Sequence, residues 1–259
     1  MNMTEGRTAA ATAERSLRDF AGRAALVSGA TSGIGRSIAT MLATRGADVC
    51  IVGRDAGRLA DVAAECESAG VRVLSCQAEL TAPSDVAGLE EQCRHAFGRL
   101  DVLVHSAAAL TVGRISDARL SEFDEQYHTN LRAPFALTQS VLPLLRSSMG
   151  QVVFINSTLG LSSKSAMSQY AATKHGLKAL ADALRAEVNG DGIRVLSVYV
   201  GRTATPMQER LHEIEGRPYD PDRLIQPEDI ASMVLHTLAL PRTIEITDIS
   251  TRPMKGYKK

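Results

Sequence analysis

Ala24-Ala25-Leu26-Val27-Ser28-Gly29-Ala30-Thr31-Ser32-Gly33-Ile34-Gly35 passes from a short apolar run into a glycine-rich turn and on into a helix-period segment. A turn this tight needs residues without a β-carbon, both to reach positive φ and to let a pyrophosphate come close to the backbone. Gly29, Gly33 and Gly35 supply them, with Thr31, Ser32 and Ile34 between. The helix that begins near Gly33 then offers unpaired N–H groups and a positive dipole end to an anion. The spacing Gly-x-x-x-Gly-x-Gly departs from the commoner Gly-x-Gly-x-x-Gly, and a glycine-rich connection without a ligand is the plain alternative.

The strand-then-helix pattern of this stretch repeats along the chain. Near-continuous apolar runs at 24–28, 49–53, 71–76, 102–105, 152–156, 195–200 and 244–249 read as strands buried on both faces. Segments 34–45, 56–69, 84–97, 122–147, 169–188 and 227–240 read as helices, with Gly46, Gly70, Gly98, Gly150 and Gly190 following helical patterns. This alternation predicts an α/β fold: a doubly wound, Rossmann-type parallel sheet of about seven strands with helices on both faces. Such sheets bind ligands beyond the carboxyl ends of their strands. Residues 1–20 read as a flexible arm and 21–259 as a single domain.

The end of the second strand, Val52-Gly53-Arg54-Asp55, bears on which dinucleotide would bind. An acid there would hydrogen-bond a ribose 2′-hydroxyl, whereas a base accommodates a 2′-phosphate. Gly53 stands where the acid would be and Arg54 follows, so NADP(H) is expected over NAD(H). The alternative is a solvated Arg54 with Asp55 turned inward.

Tyr170 and Lys174 lie four residues apart in a helical segment, so they share one face. A free phenol titrates near pH 10. A fixed ammonium nearby is expected to lower that value and make the tyrosine a proton-transfer group at neutral pH.

These residues, in order, resemble the short-chain dehydrogenase/reductase family over about residues 22–253. The resemblance rests on Ser28-Gly29 with Gly33 and Gly35, Leu100-Asp101-Val102-Leu103-Val104, Asn130, Ser157, Tyr170 with Lys174, and Gly201-Arg202-Thr203-Ala204-Thr205-Pro206-Met207. It implies an oxidoreductase that passes a hydride between a nicotinamide and a carbonyl or secondary alcohol, with Asn130, Ser157, Tyr170 and Lys174 as the catalytic set. Tyr170 would exchange the proton, and Ser157 would polarise the substrate oxygen. Lys174 would hold the nicotinamide ribose and depress the Tyr170 pKa, while Asn130 would bind a relay water. Cofactor contacts would come from the glycine turn, Arg54, Glu79, Leu80, Ser106, Ala107, Ala108, Gly201, Thr203 and Thr205, together with Tyr170 and Lys174.

The chain departs from the family pattern where His105-Ser106-Ala107-Ala108 replaces Asn-Asn-Ala-Gly, and where Val200 precedes Gly201. Segment 207–226 is polar and reads as a lid over a small-molecule substrate, with Arg210, His212, Arg217 and Tyr219 able to contact it. Helices 122–147 and 169–188 are expected to pair copies into a homodimer or homotetramer. Balanced charge, 29 basic against 29 acidic residues, argues against nucleic acid or an anionic membrane as partner. The histidine spacing predicts no metal, and the four cysteines read as buried thiols of a cytoplasmic protein. A non-catalytic dinucleotide sensor on the same fold, and a purely structural assembly protein, are the rival readings.

Overall fold

A computed structural model of the chain describes residues 18–255. Among them seven parallel strands form one sheet in the order β3-β2-β1-β4-β5-β6-β7. The strands are β1 (Ala24–Ser28), β2 (Asp48–Gly53), β3 (Val73–Gln77), β4 (Val102–His105), β5 (Gln151–Ser157), β6 (Arg194–Val200) and β7 (Asp248–Ser250). The helices between them are α1 (Gly33–Thr44), α2 (Ala56–Glu67), α3 (Pro83–Phe97), α4 (Leu120–Tyr127), α5 (Ala133–Ser148), α6 (Ser168–Val188), α7 (Pro206–Ile214) and α8 (Pro227–Ala239).

Side chains alternate across a strand, so each strand feeds two cores. Val27, Val49, Ile51, Val104 and Val198 pack with α1, α2 and α8 on one face. Leu26, Val52, Leu103, Phe154 and Val195 pack with α3, α5 and α6 on the other. Burial on both faces is why these strands read as unbroken apolar runs. The strand order reverses between β1 and β4, paired from Ala25↔Val102 to Ser28↔His105, and the crevice beyond that pair is where such sheets bind ligands.

The ends of β1 and β4 are held by buried polar groups. Asp101, salt-bridged to Arg99 at 2.6 Å, accepts the Ala24 N–H at 2.9 Å. Ser28 Oγ donates to the Val104 carbonyl at 3.2 Å and accepts the Ser106 N–H at 3.2 Å. His105 Nε2 lies 2.8 Å from Thr138 Oγ1, and its ring stacks on Phe154 at 4.8 Å. Burial holds that imidazole down to about 3.

Several expectations need correction. The single helix expected over 122–147 is two helices joined by a π-turn, His128–Arg132. Pro134 has no N–H to give the Asn130 carbonyl four residues earlier, so the regular ladder cannot run through. The last strand is Asp248–Ser250, a short polar edge strand, rather than 244–249. Segment 207–226 is no bare flap: it contains α7 and a 3₁₀ turn, Pro221–Arg223, and it buries Leu211, His212 and Leu224. The arm expected over 1–20 lies outside the described residues as far as residue 17, while Phe20 is fully buried in the α1/α8-side core.

Candidate active site

A cavity of about 540 Å³ opens beyond the carboxyl ends of the strands. Its floor is the glycine turn. Gly29 has φ +66° and Gly33 φ +51°, and a β-carbon on Gly29 would stand 2.6 Å from the Ala107 nitrogen. Only glycine fits there. Gly35 is not part of the lining; a β-carbon on it would meet the Gly29 carbonyl oxygen at 2.3 Å, so its role is to seat α1 on the turn. Helix α1 has Ser32 as N-cap, yet no side chain caps it and its first turn has no acid. Its leading N–H groups therefore suit an anion.

One end of the cavity is lined by Gly53, Arg54, Arg58, Ala78, Glu79 and Leu80. Arg54 Nη1 lies 3.5 Å from Glu79 Oε2, and Glu79 Oε1 accepts from Thr81 N–H and hydroxyl at 3.2 and 3.0 Å. Asp55 does not turn inward: it caps α2 by accepting the Arg58 N–H at 3.0 Å. Thr31, Ser32, Gly33, Ile34, Ser106, Ala107 and Ala108 line the middle, and Gly201, Thr203 and Thr205 the opposite wall. Thr205 Oγ1 caps α7 by accepting the Gln208 N–H at 3.2 Å.

Ser157, Tyr170 and Lys174 meet on the remaining wall. Ser157 ends β5, and Tyr170 and Lys174 stand one turn apart near the start of α6. Lys174 Nζ donates to the Ile155 carbonyl at 3.2 Å and sits 5.7 Å from the Tyr170 ring centre. Burial pulls the ammonium down to about 8. The expected lowering of Tyr170 does not occur here. Burial pushes the phenol up to about 12, because desolvation of the phenolate outweighs the opposing hydrogen bond from Ser157.

Asn130 is not in the lining; it is fully buried behind it. Its Oδ1 accepts the Ala109 N–H, and its Nδ2 donates to the Ala109 carbonyl and to Thr173 Oγ1 at 3.1 Å. The side chain is thus a bracket between the loop after β4 and helix α6.

Two features escaped the sequence reading. Asn156 donates to the Lys174 carbonyl at 3.1 Å and accepts the Ser157 N–H at 2.7 Å, fixing the serine relative to the tyrosine-bearing helix. Its place directly before Ser157 was the available signal. Glu215 binds Arg202 through both oxygens (2.8 and 2.6 Å) and Lys164 at 3.2 Å, tying the end of α7 to the β5–α6 loop. No local pattern announces that link. Among the described residues no helix is long and apolar enough to cross a membrane, and no group of three or more His, Cys, Asp or Glu could hold a metal ion.

Comparison with known proteins agrees with this architecture. An uncharacterized oxidoreductase of Staphylococcus aureus is 30% identical over 233 residues, covering 90% of this chain and 97% of its own. A short chain dehydrogenase from Burkholderia cenocepacia, solved with NADP, superposes with a TM-score of 0.82 at 30% identity, covering 90% of this chain and 98% of that one. An actinorhodin polyketide ketoreductase, solved with NADPH, gives 0.83 at 26%, covering 91% and 98%. The family model for short chain dehydrogenases matches residues 23–216, from the glycine turn through the tyrosine helix to α7, and the chain belongs to that family.

Proposed function

We propose that the protein is an NADP(H)-dependent carbonyl reductase or alcohol dehydrogenase that works without a metal. The observation that carries this is the convergence of Ser157, Tyr170 and Lys174 on one cavity whose floor is the uncapped N-terminus of α1. The dinucleotide fits the residues present: the absent β-carbons of Gly29 and Gly33 leave the approach a pyrophosphate needs, and α1 faces it with unpaired donors. Gly29, Thr31, Ser32, Gly33 and Ile34 would hold the pyrophosphate. Arg54, Glu79 and Leu80 would hold the adenosine end, and Ser106, Ala107, Ala108, Gly201, Thr203, Thr205 and Lys174 the remainder.

When bound, the nicotinamide supplies or accepts the hydride. The proton is the protein's task. Burial keeps Tyr170 protonated across the physiological range, so the phenol can donate to a carbonyl oxygen as negative charge develops on it. Ser157 orients and polarises that oxygen. Lys174, poised at about 8, favours charge release from the phenol when it is protonated. Holding both reactants in register contributes a large part of the acceleration.

Preference for NADP(H) is supported by two arginines at the adenosine end and by the glycine at position 53, which brings no acid. A β-carbon on Gly53 would meet Thr31 Cγ2 at 2.5 Å. Copies of the chain would pair through the faces of α4, α5 and α6, where Phe123, Tyr127 and Phe135 are exposed.

The test is Tyr170→Phe assayed for NADPH oxidation with ketones and aldehydes. Turnover is expected to fall by about a hundred- to ten-thousandfold, the worth of a positioned acid, with NADPH binding retained. Undiminished turnover in the variant overturns the mechanism. An unmodified protein that binds NADPH yet reduces nothing would instead mark a dinucleotide sensor.

A further inference from the structure

Helix α7 crosses the cavity from one chemistry to another. It starts at the phosphate floor, where Thr205 Cγ2 stands 2.8 Å from the place of a Gly33 β-carbon. Just past its other end Glu215 reaches Lys164 on the β5–α6 loop. Between these points the lining becomes apolar: Leu110, Leu159 and Met167 on the far side, Met207 and Leu211 one turn apart on α7. Such walls take the body of a ligand through the hydrophobic effect.

Lys164, Arg202 and Arg210 also line the cavity, Lys164 and Arg210 with exposed side chains. Glu79, the carboxylate of the lining, belongs to the adenosine end, where it pairs with Arg54. Glu215 is committed to Arg202 and Lys164. Arg210 pairs with no carboxylate among the described residues, although Glu213 lies one turn further along the same helix. It shares a helix face with Met207 and Leu211 by the three- and four-residue spacing. An uncompensated guanidinium beside an apolar wall is a receptor for a planar anion, which it can engage through two parallel hydrogen bonds.

We propose that the substrate is a carbonyl compound with an apolar body and a carboxylate end, and that Arg210 is the specificity-determining residue that reads the carboxylate. This rests on the reductase reading above and deepens it. Lys164, restrained by Glu215 at the mouth, adds to the local positive potential and steers the anion inward. A neutral ketone of the same shape fills the apolar half and leaves Arg210 to solvent.

The experiment compares 4-acetylbenzoate with its methyl ester, using NADPH and the full-length protein, in the unmodified form, Arg210→Met and Arg210→Lys. The acid is expected to exceed the ester in kcat/KM by about tenfold, equivalent to roughly 1.4 kcal/mol. The ratio should fall toward one in Arg210→Met, through KM of the acid rather than kcat, recover in part in Arg210→Lys, and shrink as salt is raised. Equal use of acid and ester by the unmodified protein overturns the proposal while leaving carbonyl reduction standing. So does an Arg210→Met variant with the ratio intact and NADPH affinity reduced, which would make Arg210 a cofactor contact. Failure to reduce either ketone despite NADPH binding counts against the reductase reading, and the substrate proposal falls with it.

Discussion

Asn130 grips the peptide of Ala109 from both sides: its Oδ1 accepts the N–H at 2.7 Å and its Nδ2 donates to the carbonyl at 2.9 Å. One amide thereby satisfies a loop that no strand partner reaches, at the point where the chain leaves β4 for the cavity. Asn130→Ala should leave both groups of Ala109 without this partner and remove the bond to Thr173, whose hydroxyl keeps its own bond to the Tyr170 carbonyl, at a cost of about 2–4 kcal/mol. A urea midpoint unchanged from the unmodified protein would show that the bracket carries no stability.

His105 makes the fold sensitive to acid. Its folded pKa is depressed to about 3, against about 6.5 in the unfolded chain. Its contribution is therefore complete above pH 6.5 and is lost as pH falls toward 3, since the unfolded chain alone takes up the proton. Between pH 7 and 5 the unmodified protein should lose roughly 2 kcal/mol from this group. His105→Asn should flatten that slope in urea titrations at the two pH values, and an unaltered slope in the variant would clear His105 of the effect.

Lys174 acts in the opposite direction. Its folded pKa is lowered from 10.5 to about 8, so the buried ammonium is a burden below pH 8 that is relieved as pH rises toward 10.5, where the unfolded chain binds more protons. Lys174→Met should raise stability by about 1–2 kcal/mol at pH 7, after allowance for the lost bond to the Ile155 carbonyl. The gain should narrow by pH 10, and activity should vanish. Thermal unfolding of both proteins at pH 7 and 10 checks this; a variant less stable at pH 7 would mean that the ammonium is well solvated or paired.

Arg54, its side chain largely exposed, lines the end of the cavity proposed for the adenosine, beside Gly53, Glu79 and Leu80. Arg54→Ala should weaken NADPH binding about tenfold, the worth of one charge-assisted contact of roughly 1.4 kcal/mol, and leave NADH binding unaltered. Fluorescence titration with both nucleotides decides it, and parallel losses would remove Arg54 from cofactor choice.

Much of this molecule is written in its local sequence, and the exceptions have physical causes. Strands β1, β2, β4, β5 and β6 were legible because burial on both faces makes their centres near-continuous apolar runs, with polar residues mostly at the ends. β7 was not, because it is a three-residue edge strand, Asp-Ile-Ser, and the apolar Ile244 and Ile246 that suggested a strand lie in the connection before it. The break at His128–Arg132 was masked by an apolar period that runs on through it, although Pro134 was in plain view. In α7 the charges at Glu209, Arg210 and Glu213 hid the stripe of Met207, Leu211 and Ile214. Of the site, the glycine turn and the Tyr170–Lys174 pair follow from spacing. The bracket at Asn130, the Asn156 link and the Glu215 tie are long-range contacts made by folding, and burial of the phenol likewise depends on the whole wall around it.

The methyl group of Thr31, lodged against Gly53, also governs which side chains position 53 can accept. Installing aspartate at position 53 by itself brings its β-carbon to 2.5 Å from that methyl, so Thr31 must shift to admit it. Thr31→Ala frees that space, so the two changes are expected to couple rather than add.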